Sequence, residues 1–588
     1  MNLMGLPYIS VSFAPKGKRG ILEFSMKNST IRAREFDNEQ ATLIILGTPI
    51  IGERIVYEEI WTQVTDKGLP PTFLKQVNGE FLFITLDKKS ETLRISTDRY
   101  ASVPFFYIGD NSSFFGSVFY KDICNRLKRD NQLKLNKHAI FEFLWLQRLV
   151  GTKTYDSISE FLLAATTLTY RSGTITTNQY WRPSFLKTSS SVRDTSQQLA
   201  GLLRQSAKRK TSDNPGNVGM FLSGGTDSRT VLAALEKPPF SFTIGVSDNN
   251  EVRIARAVAN HVKSTHKFIP IGQDPYADKL DDLTMLGGGM HAFDHGIFYK
   301  LNQHIPKEIK VNFHGHGIDY MFQGMYLLTR NLILFGRRTS FKKSEPIAHD
   351  FPTEYLNRIG HRLKNIDLID YVLPHQRKDM TERLHQSIKD IMQLGDGFCE
   401  TLDDHWEYML IHALSRHYPF TNLSSMGTIS EQRTIAFDND LFDLYLSLPK
   451  SHRIDGKIAK NTLKILNPQL AAIPTANNNQ SPDQSALGKD TRKLIRLLRR
   501  RIGTPDKDDI RTTAEERTWP DRGRMFTSQP HLTNAALGLQ KSEAIASLGF
   551  INMDQLAKDI PDWIEHPSDG SGAFLTSLVT IDRFLKTI

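Results

Sequence analysis

Val218-Gly219-Met220-Phe221-Leu222-Ser223-Gly224-Gly225-Thr226-Asp227-Ser228-Arg229 is the stretch from which the rest of the chain is read. It predicts a short buried strand, a tight turn of glycines and small polar residues, and a helix continuing through Val231, Leu232, Ala234 and Leu235. A helix that opens there aims unpaired backbone N–H groups and a positive dipole end at whatever occupies the turn, and phosphate suits that position. Gly224 and Gly225 let the backbone approach oxygen atoms that a Cβ would hold off. The Ser223 and Ser228 hydroxyls add donors. The Asp227 carboxylate would repel phosphate unless a cation such as Mg²⁺ stood between them. The plainer alternative is a solvent-exposed turn before a capped helix, which needs no particular order of two glycines, two serines and an acid.

Composition sets bounds on the rest. A chain of 588 residues is long enough for two or three domains, and 23% charged with 39% hydrophobic residues fits a globular protein. It has no run of eighteen apolar residues and no signal-peptide pattern, so a cytoplasmic protein with no membrane partner is expected. The only cysteines, Cys124 and Cys399, lack metal-site spacing and are expected as reduced, buried apolar side chains. A net charge of +10 points to an anionic ligand or partner.

Residues 1 to about 185 read as strand-rich, with convincing strands at 41–47 and 81–86 and a turn at 87–90 returning into 92–96. Tyr180-Trp181-Arg182-Pro183 and the Ser/Thr-rich stretch after it mark a junction. From Ser196 onward helices and strands alternate. Strands are expected at 242–246, 267–271 and 309–313, and an amphipathic helix over 251–262. Such alternation argues for a doubly wound parallel sheet whose ligand crevice lies at the C-terminal strand ends.

Ser-Gly-Gly-x-Asp-Ser after a hydrophobic strand resembles the pyrophosphate loop of ATP pyrophosphatases, which cleave ATP to AMP and pyrophosphate. It is not a Walker A loop, since no Gly-Lys-Ser/Thr follows. Val77-Asn78-Gly79-Glu80-Phe81, Thr97-Asp98-Arg99-Tyr100 and Pro104-Phe105-Phe106-Tyr107 resemble the N-terminal glutaminase domain of asparagine synthetases, an αββα sandwich of Ntn-hydrolase type. That family places a catalytic cysteine after the initiator methionine, where this chain has Asn2, and no cysteine follows within a hundred residues. Leu46-Gly47-Thr48-Pro49-Ile50 stands where the glutamine-holding Asn-Gly-Glu is expected after the early strand. The resemblance therefore implies a glutaminase fold over 1–185 without glutaminase activity.

His314-Gly315-His316-Gly317-Ile318-Asp319-Tyr320-Met321-Phe322-Gln323-Gly324 resembles the family's second signature, Ser-Gly-Glu-Gly-x-Asp-Glu-hydrophobic-Phe-Gly-Gly, with His316 in place of Glu and Tyr320 in place of the following acid. A Gly-His-Gly-x-Asp version without the N-terminal cysteine is expected in the lasso-peptide macrocyclase branch. Residues 431–438 and Lys460 are similar to further family elements. The pyrophosphate-gripping Arg-x-Lys has no counterpart, and Ile473-Pro474-Thr475-Ala476 occupies its region.

What the resemblance implies for 192–588 is an ATP-pyrophosphatase domain. It would adenylate a carboxylate with ATP, release pyrophosphate, and let an amine or ammonia attack the acyl-adenylate. Leu222, Ser223, Gly224, Gly225, Asp227, Ser228, Ile244, Gly315 and Gly317 would contact the nucleotide, and Asp227 and Asp319 would hold Mg²⁺. His316 would be the general base, with an imidazole near its ordinary ~6.5. Implied partners are carboxylate and amine substrates, including a peptide, and a partner protein or separate ammonia source.

His291, Asp294 and His295 either line the acceptor pocket or are satisfied residues of a capped helix. Three other readings stand beside this one. His314, His316 and Asp319 have zinc-ligand chemistry. A tRNA-adenylating enzyme fits the basic charge but lacks a base-stacking aromatic cluster. The third is a non-catalytic scaffold. The basic stretch 489–501 reads as a solvated amphipathic helix or a docking face, 506–509 as a polar linker, and 573–585 as a packed closing helix.

Overall fold

The computed structural model describes residues 10–13, 33–334, 336–360, 363, 365–412, 414–416, 420–477, 479–482, 484, 488, 490–491, 495 and 521–588. Asn2, the 506–509 stretch and most of 489–501 lie outside the described residues.

The N-terminal part builds two antiparallel sheets. In the larger, Asn78–Asp87 and Ala41–Ile51 are central neighbours, and Gly47 is paired with Phe81 and Ile50 with Asn78. The smaller joins Ser10–Phe13, Phe114–Ser117, Phe106–Gly109 and Glu160–Phe161. Strand alternation sorts the side chains between two cores. Ile44, Leu46, Leu82 and Ile84 enter the space between the sheets, while Leu43, Ile45, Phe81 and Phe83 face the helix Glu58–Lys67 through Ile60. Helix Tyr120–Arg129 covers the smaller sheet, with the Phe106 and Tyr120 rings 5.4 Å apart. The layers are helix, sheet, sheet, helix, as the αββα expectation requires.

The second part is a five-stranded parallel sheet of β1 (Val218–Phe221), β2 (Phe240–Gly245), β3 (His266–Pro270), β4 (Val311–Phe313) and β5 (Glu431–Gln432), in the spatial order β3-β2-β1-β4-β5. Every residue of β1 is buried, as a central parallel strand covered on both faces must be. The helices α1 (Asp227–Ala234) and α2 (Asn250–His261) follow β1 and β2, and α2 buries the stripe Val252, Ala255 and Ala259. The chain runs from β1 to β2 and β3 on one side, then returns to β4 on the other. The switch point, and hence the crevice, lies between β1 and β4.

After residue 330 the chain is not helical at once. A two-stranded hairpin, Thr329–Leu334 with Arg337–Ser344, turns at Gly336, whose φ of 73° favours glycine, and helices follow. The closing helix Asp569–Thr587 wedges between the two parts, with the Phe584 ring 5.8 Å from Tyr120 and 5.6 Å from Tyr155. Among the described residues no helix is long and apolar enough to cross a membrane. Cys124 is buried and Cys399 half-buried, and both are free thiols.

Candidate active site at the strand switch point

A cavity of about 510 Å³ opens at the C-terminal ends of β1, β2 and β4. Of the residues singled out from sequence, Leu222, Ser223, Asp227 and Ser228 line it from the first loop and Ile244 from β2. Gly315, His316 and Asp319 line it from the turn into the short helix α3 (Ile318–Phe322). Gly224, Gly225 and Gly317 are not in its wall.

The first loop is tied by its own serines. Ser223 N donates to Ser228 Oγ at 3.1 Å, and the two hydroxyls lie 2.9 Å apart. Gly224 N donates to Glu251 Oε1 and Gly225 N to Ser223 Oγ, both at 3.2 Å. The two N–H groups expected to stand open for phosphate thus have protein acceptors, as backbone donors packed this tightly require. Close approach is real at the glycines, but the neighbour is protein. A Cβ on Gly315 would lie 2.4 Å from Ser228 N, and one on Gly317, at φ +94°, would lie 2.6 Å from Ala436 Cβ. The second loop therefore rests directly on the start of α1.

Two acids dominate the electrostatics. Burial pushes the Asp227 carboxyl well up, and the neighbouring Asp319 raises it further. Burial raises Asp319 to about 6. Gln323 Nε2 donates to Asp227 Oδ1, whereas Asp319 Oδ1 is buried with no hydrogen-bond partner. Two buried carboxylates pushed upward and an orphaned oxygen fit a divalent cation. Among the described residues no group of three His, Cys, Asp or Glu is placed to hold a metal. Two carboxylates suit Mg²⁺, which completes its octahedron with phosphate oxygens and water. Zinc is a poor fit, because His314 is already used. Its Nδ1 accepts from His316 N at 2.9 Å, and its Nε2 faces Gln432 Nε2 at 2.8 Å.

His316 is half-buried among rings, 5.6 Å from Tyr320 and 5.9 Å from Phe437. Burial lowers its imidazole to about 4. This corrects the expectation of an ordinary value: the ring is neutral throughout the neutral range.

The far wall was largely invisible in sequence. Asp294 and His295 line the cavity, as one of the two readings expected, but His291 packs on Phe420 and is not in its wall. Arg522, from the helix α4 (Arg522–Ser528), forks onto both Asp294 oxygens at 2.5 and 2.8 Å and donates to His295 Nε2 at 2.8 Å. Phe298, Tyr276 and Met426 add apolar surface. In the region of the missing Arg-x-Lys, fully buried Arg229 holds the carbonyls of Leu470, Ile473 and Pro474 at 3.1, 2.5 and 2.9 Å. Ala476 N donates to Gly224 O at 3.0 Å. An uncharged segment thus sits on the first loop.

Two domain families match the chain: a glutamine amidotransferase domain over residues 58–181 and asparagine synthase over residues 198–470. A Methanocaldococcus jannaschii protein, provisionally named asparagine synthetase [glutamine-hydrolyzing] 2, is 23% identical over 385 residues, covering 61% of this chain and 72% of its own length. The asparagine synthetase [glutamine-hydrolyzing] of Cricetulus griseus is 29% identical over 140 residues, 21% of this chain and 24% of its own. Among solved structures, the allosteric regulatory enzyme of purine biosynthesis aligns over 42% of this chain and 63% of its own, at 7% identity and a TM-score of 0.19, too low to carry an argument.

Proposed function

This chain belongs to the asparagine synthetase family and is an ATP-dependent ligase of that type; from that premise we propose that it joins a carboxylate to an amine through an acyl-adenylate, without hydrolysing glutamine itself. The observation that carries the reading is the meeting, in one cavity, of a Ser-Gly-Gly-x-Asp-Ser loop with the buried Asp227 and Asp319 carboxylates, of which Asp319 Oδ1 has no partner. The nucleotide would lie along Leu222, Ser223, Ser228 and Ile244. Mg²⁺, held by Asp227 and Asp319, would neutralise phosphate oxygens. Phosphate would have to displace the Glu251 carboxylate from Gly224 N, exchanging one acceptor for another.

His316 would take the proton from the attacking amine. Its low proton affinity keeps it in the basic form at neutral pH and lowers the driving force of each transfer. The apolar far wall, ending at Arg522, Asp294 and His295, would orient the rest of the carboxylate substrate. Asparagine formation from aspartate and macrocyclisation of a peptide differ in that substrate, and the one that supports turnover decides between them. The two-domain division, 1–185 and 192–588, is part of the same proposal, as is the absence of a nucleic-acid partner. Glutamine would not be hydrolysed, since Leu46-Gly47-Thr48-Pro49-Ile50 stands where the glutamine-holding motif is expected, and Glu80 and Asn78 are committed to other protein groups.

ATP–pyrophosphate exchange, measured over a panel of carboxylic acids from aspartate to peptides, tests the reading. Exchange with at least one acid is expected, falling at least about 10²-fold in Asp227→Ala and Asp319→Ala, because each removes an anchor for the neutralising cation. Full exchange in either variant would remove the pair from the site.

A further inference from the structure

The Asn78-Gly79-Glu80 turn belongs to the N-terminal sheet, yet its side chains bond into the other half of the molecule. Asn78 Oδ1 accepts from Asn439 N at 2.9 Å, and its Nδ2 donates to Asp438 Oδ2 at 2.9 Å. Glu80 Oε2 accepts from Lys210 Nζ and from Thr434 N, each at 2.9 Å. Lys210 has no exposed surface and Glu80 is 9% exposed, so this is an ion pair deep in the domain interface.

From Thr434 the chain of contacts runs inward to the cavity. Gln432 Nε2 is 2.8 Å from Thr434 Oγ1 and 2.8 Å from His314 Nε2, and Thr434 Oγ1 is 3.4 Å from the same imidazole nitrogen. At the other side of that ring, Nδ1 accepts from His316 N at 2.9 Å. An accepting Nδ1 leaves the neutral ring's proton on Nε2, where Thr434 Oγ1 is the acceptor at 3.4 Å; the Gln432 amide nitrogen beside it is itself a donor and gives its hydrogen to Thr434 Oγ1. His314 is 4% exposed and Thr434 fully buried, so water does not compete for these bonds. The path begins on a carboxylate of the amidotransferase-like domain and ends on the backbone of a residue in the synthetase cavity.

We propose that Glu80 is a positioning residue for that cavity: by holding Thr434 N it fixes Thr434 and His314, and through His314 it fixes the backbone of His316. The N-terminal domain is then a working part of the synthetase site. Glu80 does two separable things, since its charge offsets Lys210 and its oxygen accepts from Thr434. A domain latch needs only the first; positioning needs the second. Asn78, Asp438 and Asn439 latch the same interface without reaching His314.

Two double variants separate these roles in the full-length protein. Glu80→Gln/Lys210→Met removes the ion pair but keeps an amide oxygen for Thr434 N. Glu80→Ala/Lys210→Met removes both. With ¹⁵N-histidine labelling, the His316 amide and His314 imidazole signals are assigned by their disappearance in His316→Gln and His314→Gln. The glutamine double is expected to keep both signals at their wild-type positions, and the alanine double to shift both. Where the exchange assay has identified a substrate, amide formation should fall about tenfold in the alanine double only, with calorimetric ATP–Mg²⁺ affinity kept within about twofold. If the alanine double does not fold, Gln432→Leu, which leaves the ion pair whole, should shift the same His314 signal. Wild-type signals in the alanine double, equal shifts in both doubles, or an unmoved His314 signal in Gln432→Leu would overturn the proposal. The spectra need no substrate, so this outcome is independent of whether the ligase reading stands.

Discussion

Glu80 with Lys210, and Asp227 with Asp319, are both pairs of ionisable side chains drawn out of water at strand ends, and the protein treats them oppositely. Glu80 Oε2 has an opposite charge and a backbone N–H at 2.9 Å each. Asp227 and Asp319 face each other as like charges, both pushed upward, with one oxygen orphaned. A buried pair whose opposite charges offset each other belongs to the architecture. A buried pair left in conflict costs stability and persists where a ligand resolves it. The contrast separates an interface from a site inside one family fold.

The comparison can be broken experimentally, starting with its largest expected effect. Lys210→Ala strands Glu80 without a counter-charge and should destabilise the fold by about 3–5 kcal/mol in urea or thermal unfolding, while Glu80→Gln/Lys210→Met stays within about 1 kcal/mol of wild type. A small loss in Lys210→Ala would mean that water reaches Glu80. At the other pair the sign reverses. Asp319→Asn should raise the stability of the nucleotide-free protein by about 1–2 kcal/mol and abolish the thermal shift produced by ATP with Mg²⁺. A destabilised Asp319→Asn would show that the carboxylate is satisfied after all.

The subtlest effect is in pH. Asp319 titrates near 6, above an unfolded value of ~3.9, so its folded state takes up a proton first and the apo protein gains stability from this group as pH falls through 6. The same protonation would weaken the Mg²⁺ binding proposed for Asp227 and Asp319. His316 stays neutral to about 4. Amide formation should therefore decline below about pH 6 and be restored there by added Mg²⁺, since metal retention and not His316 is limiting. A decline near 6.5 that Mg²⁺ does not relieve would return His316 to an ordinary imidazole.

Legibility followed distance along the chain. The loop at 222–228 could be read because an apolar strand, two glycines and a helix start are local features, and the structure has them where the spacing said. Asp319 could be paired with Asp227 only through resemblance, since it lies 92 positions further along the chain. Asn78-Gly79-Glu80 could be read as a family motif, but its bonds to Lys210, Thr434 and Asn439 cross between domains and leave no local pattern. Arg522 lies past the last family-like element, and nothing nearby announces that it will fork onto Asp294.

The amino-acid order by itself determined the parallel-sheet class of the second part, the strand-turn-helix at 218–235 and the kinds of group available for chemistry, because periodicity, glycine and helix starts act over a few residues; the αββα class of the first part came through resemblance. Tertiary structure alone decided which of those groups are satisfied. Gly224 N found Glu251, His314 was used within the protein, the ring cage lowered His316, and Asp319 kept an oxygen with no partner. Desolvation and pairing depend on what lies within a few ångströms in space, and the residues that set them here range from close neighbours, as His316 is to His314, to segments more than a hundred positions apart, as Phe437 is to His316.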